Sequence, residues 1–450
     1  MRNIAELKRI SRLIRDAALA AADPAAAVKS ALVQAGERAG LLGKDFPPRG
    51  RLVLVAVGKA SPSMAAAALS ALGESIAEGI VVMPRGYTCD LGGHPGGRRV
   101  AVFAAGHPVP DQDGMGAARR VRDLLASLDE KDACLLLLSG GGSSLLPMPY
   151  PPVTLAEKGE TTLLLLKSGA DIRQINTVRK HISAIKGGRL AEKIRGRIVS
   201  LVLSDVVGDP LDFIASGPAV PDPTTFADAR GVLARYQLLD RIPGTVRQLI
   251  EDGCAGMIPE TPKTLPSRHV TRIVASNRIA VDAAAAEAAR NGFTPLILTT
   301  FLTGEAREAG RFMAAIAKES RVSGTPSPPP ACILAGGETT VTVTGNGLGG
   351  RNQEMVLAAA IELAGEKGML FTAFATDGKE GNTDAAGATA SGETLAAGAR
   401  AGRDPHACLR ANDSYAFLAA AGELIVTGPT YTNVNDIVFA LVDRTIDASC

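Results

Sequence analysis

Tryptophan is absent from the 450 residues, tyrosine occurs five times, and aromatics make up only 4% of the chain. This scarcity excludes base-stacking platforms for nucleic acid and the aromatic anchors of carbohydrate- and protein-binding surfaces, and it leaves a small, polar ligand. Net charge is nearly absent too. Forty-eight Lys and Arg against 46 Asp and Glu give +2, so no bulk field draws in nucleic acid and any basic site is local. The six cysteines (Cys89, Cys134, Cys254, Cys332, Cys408, Cys450) never approach CxxC spacing and read as reduced thiols of a cytoplasmic protein. Five scattered histidines include no HxxxH pair for a transition-metal centre. No stretch of about 18 apolar residues escapes a charge, Gly or Pro, so no membrane span is expected. At the N-terminus, charges interleave with Ile4, Leu7, Ile10 and Ile14 at helical spacing, unlike a signal peptide.

The length, with 46% hydrophobic residues, suits two cored domains. Two helices open the chain, the second starting at Asp23 and Pro24. Continuous apolar runs then follow at 52–57, 80–83, 100–104, 133–138 and 198–203, separated by Ala/Leu-rich helical stretches. Such runs are strands buried on both faces, which predicts a doubly wound parallel α/β domain over roughly the first 240 residues. The breaker-rich stretch 240–268 reads as a boundary. A second α/β series begins at 270–275, with strands expected at 294–299, 331–335, 339–344, 369–375, 423–427 and 437–442.

Open α/β sheets bind ligands at the carboxyl ends of their strands, and glycine-rich polar loops follow the strands here. LVLVAVGKASPSM sets Lys59 beside a helix start, with Ser61 as the expected N-cap, where free N–H groups attract anions. It is not a Walker A loop, because Val53 replaces the leading glycine and Ala60 the magnesium-binding Ser or Thr. A plain surface lysine fits that spacing equally well. ACLLLL runs into Ser139, Gly140, Gly141, Gly142, Ser143 and Ser144, which can form a nest of N–H groups and serine hydroxyls for phosphate, the competing reading being a flexible turn. In AGHPVPDQDG, His107 lies in a stiff loop where a structural role is the default.

In INTVRKHISAIKGGRLAEK, Ile175, Val178, Ile182 and Ile185 form a buried stripe with Arg179 and Lys186 on its shoulder, either an anion clamp or a solvated basic face. LSDVVGDPLDFIASGP offers Asp205 and Asp209 for magnesium beside a nucleotide or for turn capping. In the second half, TTVTVT leads into residues 345–350, which satisfy GxGxxG. A strand alternating Thr and Val is not the doubly buried strand of a dinucleotide fold. The loop therefore reads as an anion clamp, with Arg351 poised to neutralise a transferring phosphoryl group and Asn352 beside it. Asp377 follows the next strand.

In order along nearly the whole chain, VAVGKAS, AGHPVPDQDG, LSGGGSSLLP, INTVRKHISAIKGGRLA, LSDVVGDPLDFIASGP, AGGETTVTV, GLGGRNQE, TDGKEGNTDAAGA and GPTYTNVND closely resemble the bacterial glycerate 2-kinase family with a C-terminal MOFRL domain. The resemblance implies a Rossmann-like domain over 1–245 and a mixed-sheet α/β domain over 265–450, with the MOFRL region near 328–445. It also implies phosphorylation of the C2 hydroxyl of D-glycerate by ATP with Mg2+ or another divalent cation, and Lys59 and Arg351 as catalytic residues through VGKAS and GGRNQE.

Beside it, the loop readings give residues 139–144 to nucleotide phosphate, Asp205, Asp209 and Asp377 to the metal, and His107, Arg179, Lys186 and Asn352 to glycerate. Lys379, Glu380 and Tyr431 depart from the family pattern. Because Lys59 and Arg351 fall in different domains, the active site is expected in the cleft between them. Two competing functions are an NAD(P)H-dependent hydroxypyruvate reductase and a non-catalytic binding protein for a small organic acid. The partners expected are small molecules, with neither nucleic acid nor membrane; the oligomeric state is open, a homodimer included.

Overall fold

The computed structural model describes residues 2–37 and 49–444. They form two compact units, one of Pro24–Val274 and one of Met1–Asp23 with Ala275–Cys450. The first is built on β1 (Leu52–Val57), β2 (Ile76–Pro84), β3 (Val100–Ala105), β4 (Ala133–Leu138), β5 (Arg197–Leu203) and β6 (Val270–Ala275), in the order β3-β2-β1-β4-β5-β6. This is the doubly wound nucleotide-fold order, which reverses between β1 and β4. Parallel pairing joins β3 to β2, β2 to β1, β1 to β4 and β4 to β5. Every residue of β1 and β4 is buried, as their unbroken apolar runs require when helices cover both faces. Burial is worth about 1.5–3 kcal/mol for each such Val or Leu, so the two strand ends make a firm platform. Val57 pairs with Leu138, which brings Gly58 and Ser139 level at the carboxyl edge.

The division differs from the expected bounds of 1–245 and 265–450 at both ends. Residues 240–268 fold back on the first sheet instead of leaving it: Arg268 donates to the Ile194 carbonyl at 2.7 Å, and the Ile198 N–H donates to His269 Nδ1 at 3.1 Å. Thus β6 completes the first sheet. The opening helix Ile4–Ala21 belongs instead with the second unit, burying Leu7, Ile10, Ile14 and Ala18. Ser11 meets Thr372 at 2.9 Å, Lys8 pairs with Glu423 at 2.7 Å, and Arg2 with Asp443 at 2.9 Å.

In the second unit, β7 (Thr294–Leu302), β8 (Ala331–Gly337), β9 (Met369–Ala375), β10 (Gly387–Ser391), β11 (Leu424–Ile425) and β12 (Asp436–Val442) form a mixed sheet, ordered β11-β10-β9-β12-β8-β7. Only β7 and β8 are parallel among these pairs. The strand expected at 339–344 does not form. Side-chain acceptors replace a neighbouring strand there: Glu305 takes the Thr342 N–H at 3.2 Å, and Asn412 Oδ1 takes those of Thr344 and Gly345 at 2.8 and 2.9 Å. The five described cysteines are free, as expected of reduced thiols; Cys450 lies outside the described residues. No helix is long and apolar enough to cross a membrane among the described residues.

Candidate active site

At the carboxyl edge of the first sheet, the loops after β1, β3, β4 and β5 converge. Gly58 has φ +127, and a Cβ there would stand 2.2 Å from Ser139 Oγ, so only glycine lets the β1 and β4 loops touch. They are laced by Lys59 N–H to the Gly140 carbonyl at 2.8 Å and Ala60 N–H to Ser139 Oγ at 3.1 Å. Gly141, at φ +85, is flanked by His107 and Lys59: a Cβ on it would lie 2.9 Å from His107 Cδ2 and 3.5 Å from Lys59 Cγ. One on Gly140 would fall 2.0 Å from Asp205 Oδ2. Lys59, His107, the triple-glycine loop and Asp205 are therefore neighbours. Ser61 does not cap its helix; it is the first helical residue, and its hydroxyl donates to the Val82 carbonyl at 3.0 Å.

The fourth predicted element reaches the same loop. The helix Ile172–His181 buries Ile175 and Val178 and ends before Lys186, yet both cations meet at Ser143. Arg179 Nη2 donates to Ser143 Oγ at 2.5 Å, and Lys186 Nζ donates to Ser143 O and Oγ, each at 2.6 Å. Lys186 is buried, so its charge acts on the loop from beneath. Lys158, which the sequence does not single out, is also buried, with Nζ on the Pro147 carbonyl at 2.9 Å. None of Lys158, Arg179 and Lys186 has a carboxylate partner among the described residues, whereas the buried Lys180 has two, Asp212 at 3.0 Å and Asp222 at 2.7 Å. Burial of unpaired cations costs several kcal/mol in general, which an anion resting in the loop offsets.

The titration of these groups follows from the same geometry. Burial, and then the charges of Arg179 and Lys158, hold the Lys186 ammonium well below the usual lysine range. Burial pushes the Asp205 carboxyl up, against the pull of Lys59. His107 is pushed down by burial and by Lys59, which favours the neutral imidazole. Asp209 has φ 55 and lies on the same loop as Asp205, with its N–H on the Val206 carbonyl at 3.0 Å.

The second unit holds a cleft of about 610 Å³ lined by Glu338, Thr340, Val343, Gly349, Arg351 and Glu380, among others. Arg351 opens the helix Arg351–Glu362, but its guanidinium is already engaged. Nη2 donates to Asp436 Oδ1 at 2.9 Å, Nε bonds the other oxygen of that carboxylate, and Nη1 lies 3.1 Å from Glu338 Oε1. Burial weighs against the Arg351 charge, and bonded Asp436 more than compensates, so its pKa is raised.

Glu380 accepts the N–H groups of Asn352 and Gln353 at the start of this helix, where an anionic ligand would otherwise sit. Its carboxyl is pushed up to about 8 by burial and by Asp436. Asn352 is buried and lines a separate small cavity of about 10 Å³ with Thr339 and Asp436. Asp377 Oδ1 accepts the Lys379 N–H at 3.1 Å. Among the described residues, no three His, Cys, Asp or Glu side chains gather as a ready-made metal site. Glu338 lies in AGGET and Asp436 in TNVND; their pairing with Arg351 is a tertiary contact that no local signal announces.

Residues 10–251 match the family described as domain of unknown function DUF4147, and residues 331–436 match the MOFRL family. The glycerate 2-kinase of Pyrococcus horikoshii is 42% identical across 97% of this chain and 98% of its own length. The chain belongs to the glycerate 2-kinase family. A crystal structure of glycerate kinase from Thermotoga maritima, at 43% identity, superposes with a TM-score of 0.88 over 97% of this chain and all of that one. A relative from Agrobacterium vitis, 44% identical over 98% of this chain and 95% of its own length, carries the name putative hydroxypyruvate reductase.

Proposed function

We propose that the protein is an ATP-dependent D-glycerate 2-kinase, passing the γ-phosphoryl group to the C2 hydroxyl to give 2-phosphoglycerate and ADP. The observation that carries this reading is the convergence of Lys59, the Gly140–Gly142 nest and the uncompensated cations Arg179 and Lys186 at the switch point of a 3-2-1-4-5-6 sheet. Phosphoryl transfer needs positioning and charge stabilisation above all. In this reading the loop N–H groups cradle nucleotide phosphate, Lys59 neutralises the transferring group, and Arg179 directs glycerate through its carboxylate. The neutral His107 accepts the proton of the C2 hydroxyl.

Magnesium commonly takes one or two carboxylates and completes its shell with phosphates and water. Asp205 fits that part, being a half-buried carboxylate at Gly140 whose raised pKa marks a need for positive charge; Asp209 on the same loop and Asp377 are the further carboxylates proposed for it. The ion would supply charge neutralisation on the phosphate oxygens. Arg351, in the second unit, is proposed as the other catalytic cation, as the family resemblance implies. A cytoplasmic location is part of the same reading.

The reductase reading is disfavoured by Glu380, which occupies the helix N–H groups that a dinucleotide pyrophosphate would take at the GxGxxG loop. Thermal shift separates the two: Mg-ATP raises Tm and NADH leaves it unchanged if the protein is a kinase, and the reverse pattern overturns the assignment.

A further inference from the structure

The hydroxyl protons of the glycine-rich loop can be counted, and the count assigns work to residues beyond the loop. A serine hydroxyl has one proton and two lone pairs. At Ser143 both lone pairs are taken, by Arg179 Nη2 at 2.5 Å and Lys186 Nζ at 2.6 Å. Ser216 Oγ lies 2.9 Å from Ser143 Oγ and donates its own proton to Asn176 Oδ1 at 3.1 Å. The proton between the two serines is therefore that of Ser143. Ser144 likewise donates inward, to the Gly141 carbonyl at 3.0 Å. Ser139 Oγ, the third hydroxyl, accepts the Ala60 N–H at 3.1 Å and faces the Val57 carbonyl. The loop thus offers an anion backbone N–H groups, with cations around it, and its three hydroxyls serve the protein's own interior.

Ser216 is held at this spot against backbone preference. Ala215 and Ser216 have φ 51 and 59, left-handed values disfavoured for side chains with a Cβ, and Gly217 continues the turn at φ 60. Gly187 N–H to Ser216 O at 3.0 Å and Gly188 N–H to Gly217 O at 2.7 Å clamp the strained segment. Asn176 and Ser216 are both buried, and Asn176 lies three residues before Arg179 on the same helix face. Strain of this kind persists where the surroundings over-determine it, characteristically at binding sites.

We infer that Ser216 and Asn176 are positioning residues of the phosphate cradle: they draw the Ser143 proton inward, so that Ser143 faces Arg179 and Lys186 only as an acceptor and keeps both cations on the loop. Without Ser216, the Ser143 proton has no inward acceptor; the hydroxyl rotates and gives up a lone pair that one cation needs. The inference rests on the reading of residues 139–144 as the site of nucleotide phosphate.

A double-mutant cycle tests it, with steady-state kinetics on the full-length protein. Ser216→Ala is expected to raise KM for ATP about tenfold, Ser143→Ala by a similar factor, and the double variant also by only about tenfold, because Ser216 acts through Ser143. A merely structural role gives instead a product of about a hundredfold, and that result overturns the inference while leaving the phosphate reading in place. Ser143→Ala with unchanged KM and kcat would overturn this inference alone, since the backbone N–H groups of the loop would still hold the phosphate. Should Ser216→Ala not fold, Asn176→Ala enters the same cycle and is judged by the same two outcomes.

Discussion

Gly141→Ala adds one carbon between His107 and Lys59 in the proposed site. The residue sits at φ +85, where an L side chain costs about 1–2 kcal/mol. The new Cβ also lies 2.9 Å from His107 Cδ2 and 3.0 Å from His107 Nε2, closer than ordinary carbon contacts, so the imidazole or the loop must move. Taken up wholly by the loop, the backbone cost alone corresponds to about a 5- to 30-fold loss in kcat/KM for ATP. The ring displacement adds to it, and Gly141→Val is worse because a β-branched side chain resists positive φ. Gly116→Ala is the control: it lies in the helix Gln112–Ala126 with open space at its Cβ, where alanine is favoured by roughly 1 kcal/mol. Its Tm should rise with kinetics unchanged. Steady-state kinetics in ATP with Tm on the same samples decide the matter. Wild-type kcat and KM in Gly141→Ala would refute the claim that this backbone holds the phosphate.

Arg351→Lys keeps the charge but loses the planar fork that meets Asp436, so kcat should fall by about 10²-fold or more while KM for glycerate changes little; a variant with near-normal kcat and raised KM would place Arg351 in ground-state binding. His107→Ala should remove an acidic limb of the kcat profile lying below the ordinary histidine range, since burial and Lys59 lower that pKa; a limb that survives the substitution excludes His107 as the proton acceptor. Glu380 titrates near 8 in the folded protein and near 4.5 unfolded, so the folded state binds the extra proton between those values and stability falls as pH rises from about 5 to 8. Tm of Glu380→Gln should fall less than wild type over that range, and parallel curves would contradict the shift.

The parts legible in the sequence are those set by local pattern. LVLVAV and ACLLLL can only be strands buried on both faces, and the glycines and polar residues behind them marked the edge at which Lys59, His107 and Asp205 meet. What escaped depended on tertiary contacts. TTVTVT has strand periodicity, yet Glu305 and Asn412, distant in sequence, satisfy its N–H groups and keep it irregular. The strand β10, GATAS, lacks an apolar run because β9 passes close by: a Cβ on Gly387 would fall 2.0 Å from the Ala373 carbonyl. Residues 240–268 look like a linker by composition, and their return to the first sheet rests on Arg268 and His269 finding backbone partners near β5. At the site itself, Arg351 was recognisable as a cation at a helix start, but its neutralisation by Asp436 was not, since 85 residues separate the pair.

Phosphoryl transfer to C2 of D-glycerate is read out by phosphorus NMR of a reaction containing the purified protein, Mg-ATP and D-glycerate. A glycerate 2-kinase gives one new phosphomonoester resonance, assigned to phosphate on C2, growing in step with ADP and absent when either substrate is omitted. Phosphate on C3, or no ester at all while NADH is oxidised with hydroxypyruvate, would contradict the proposed transfer.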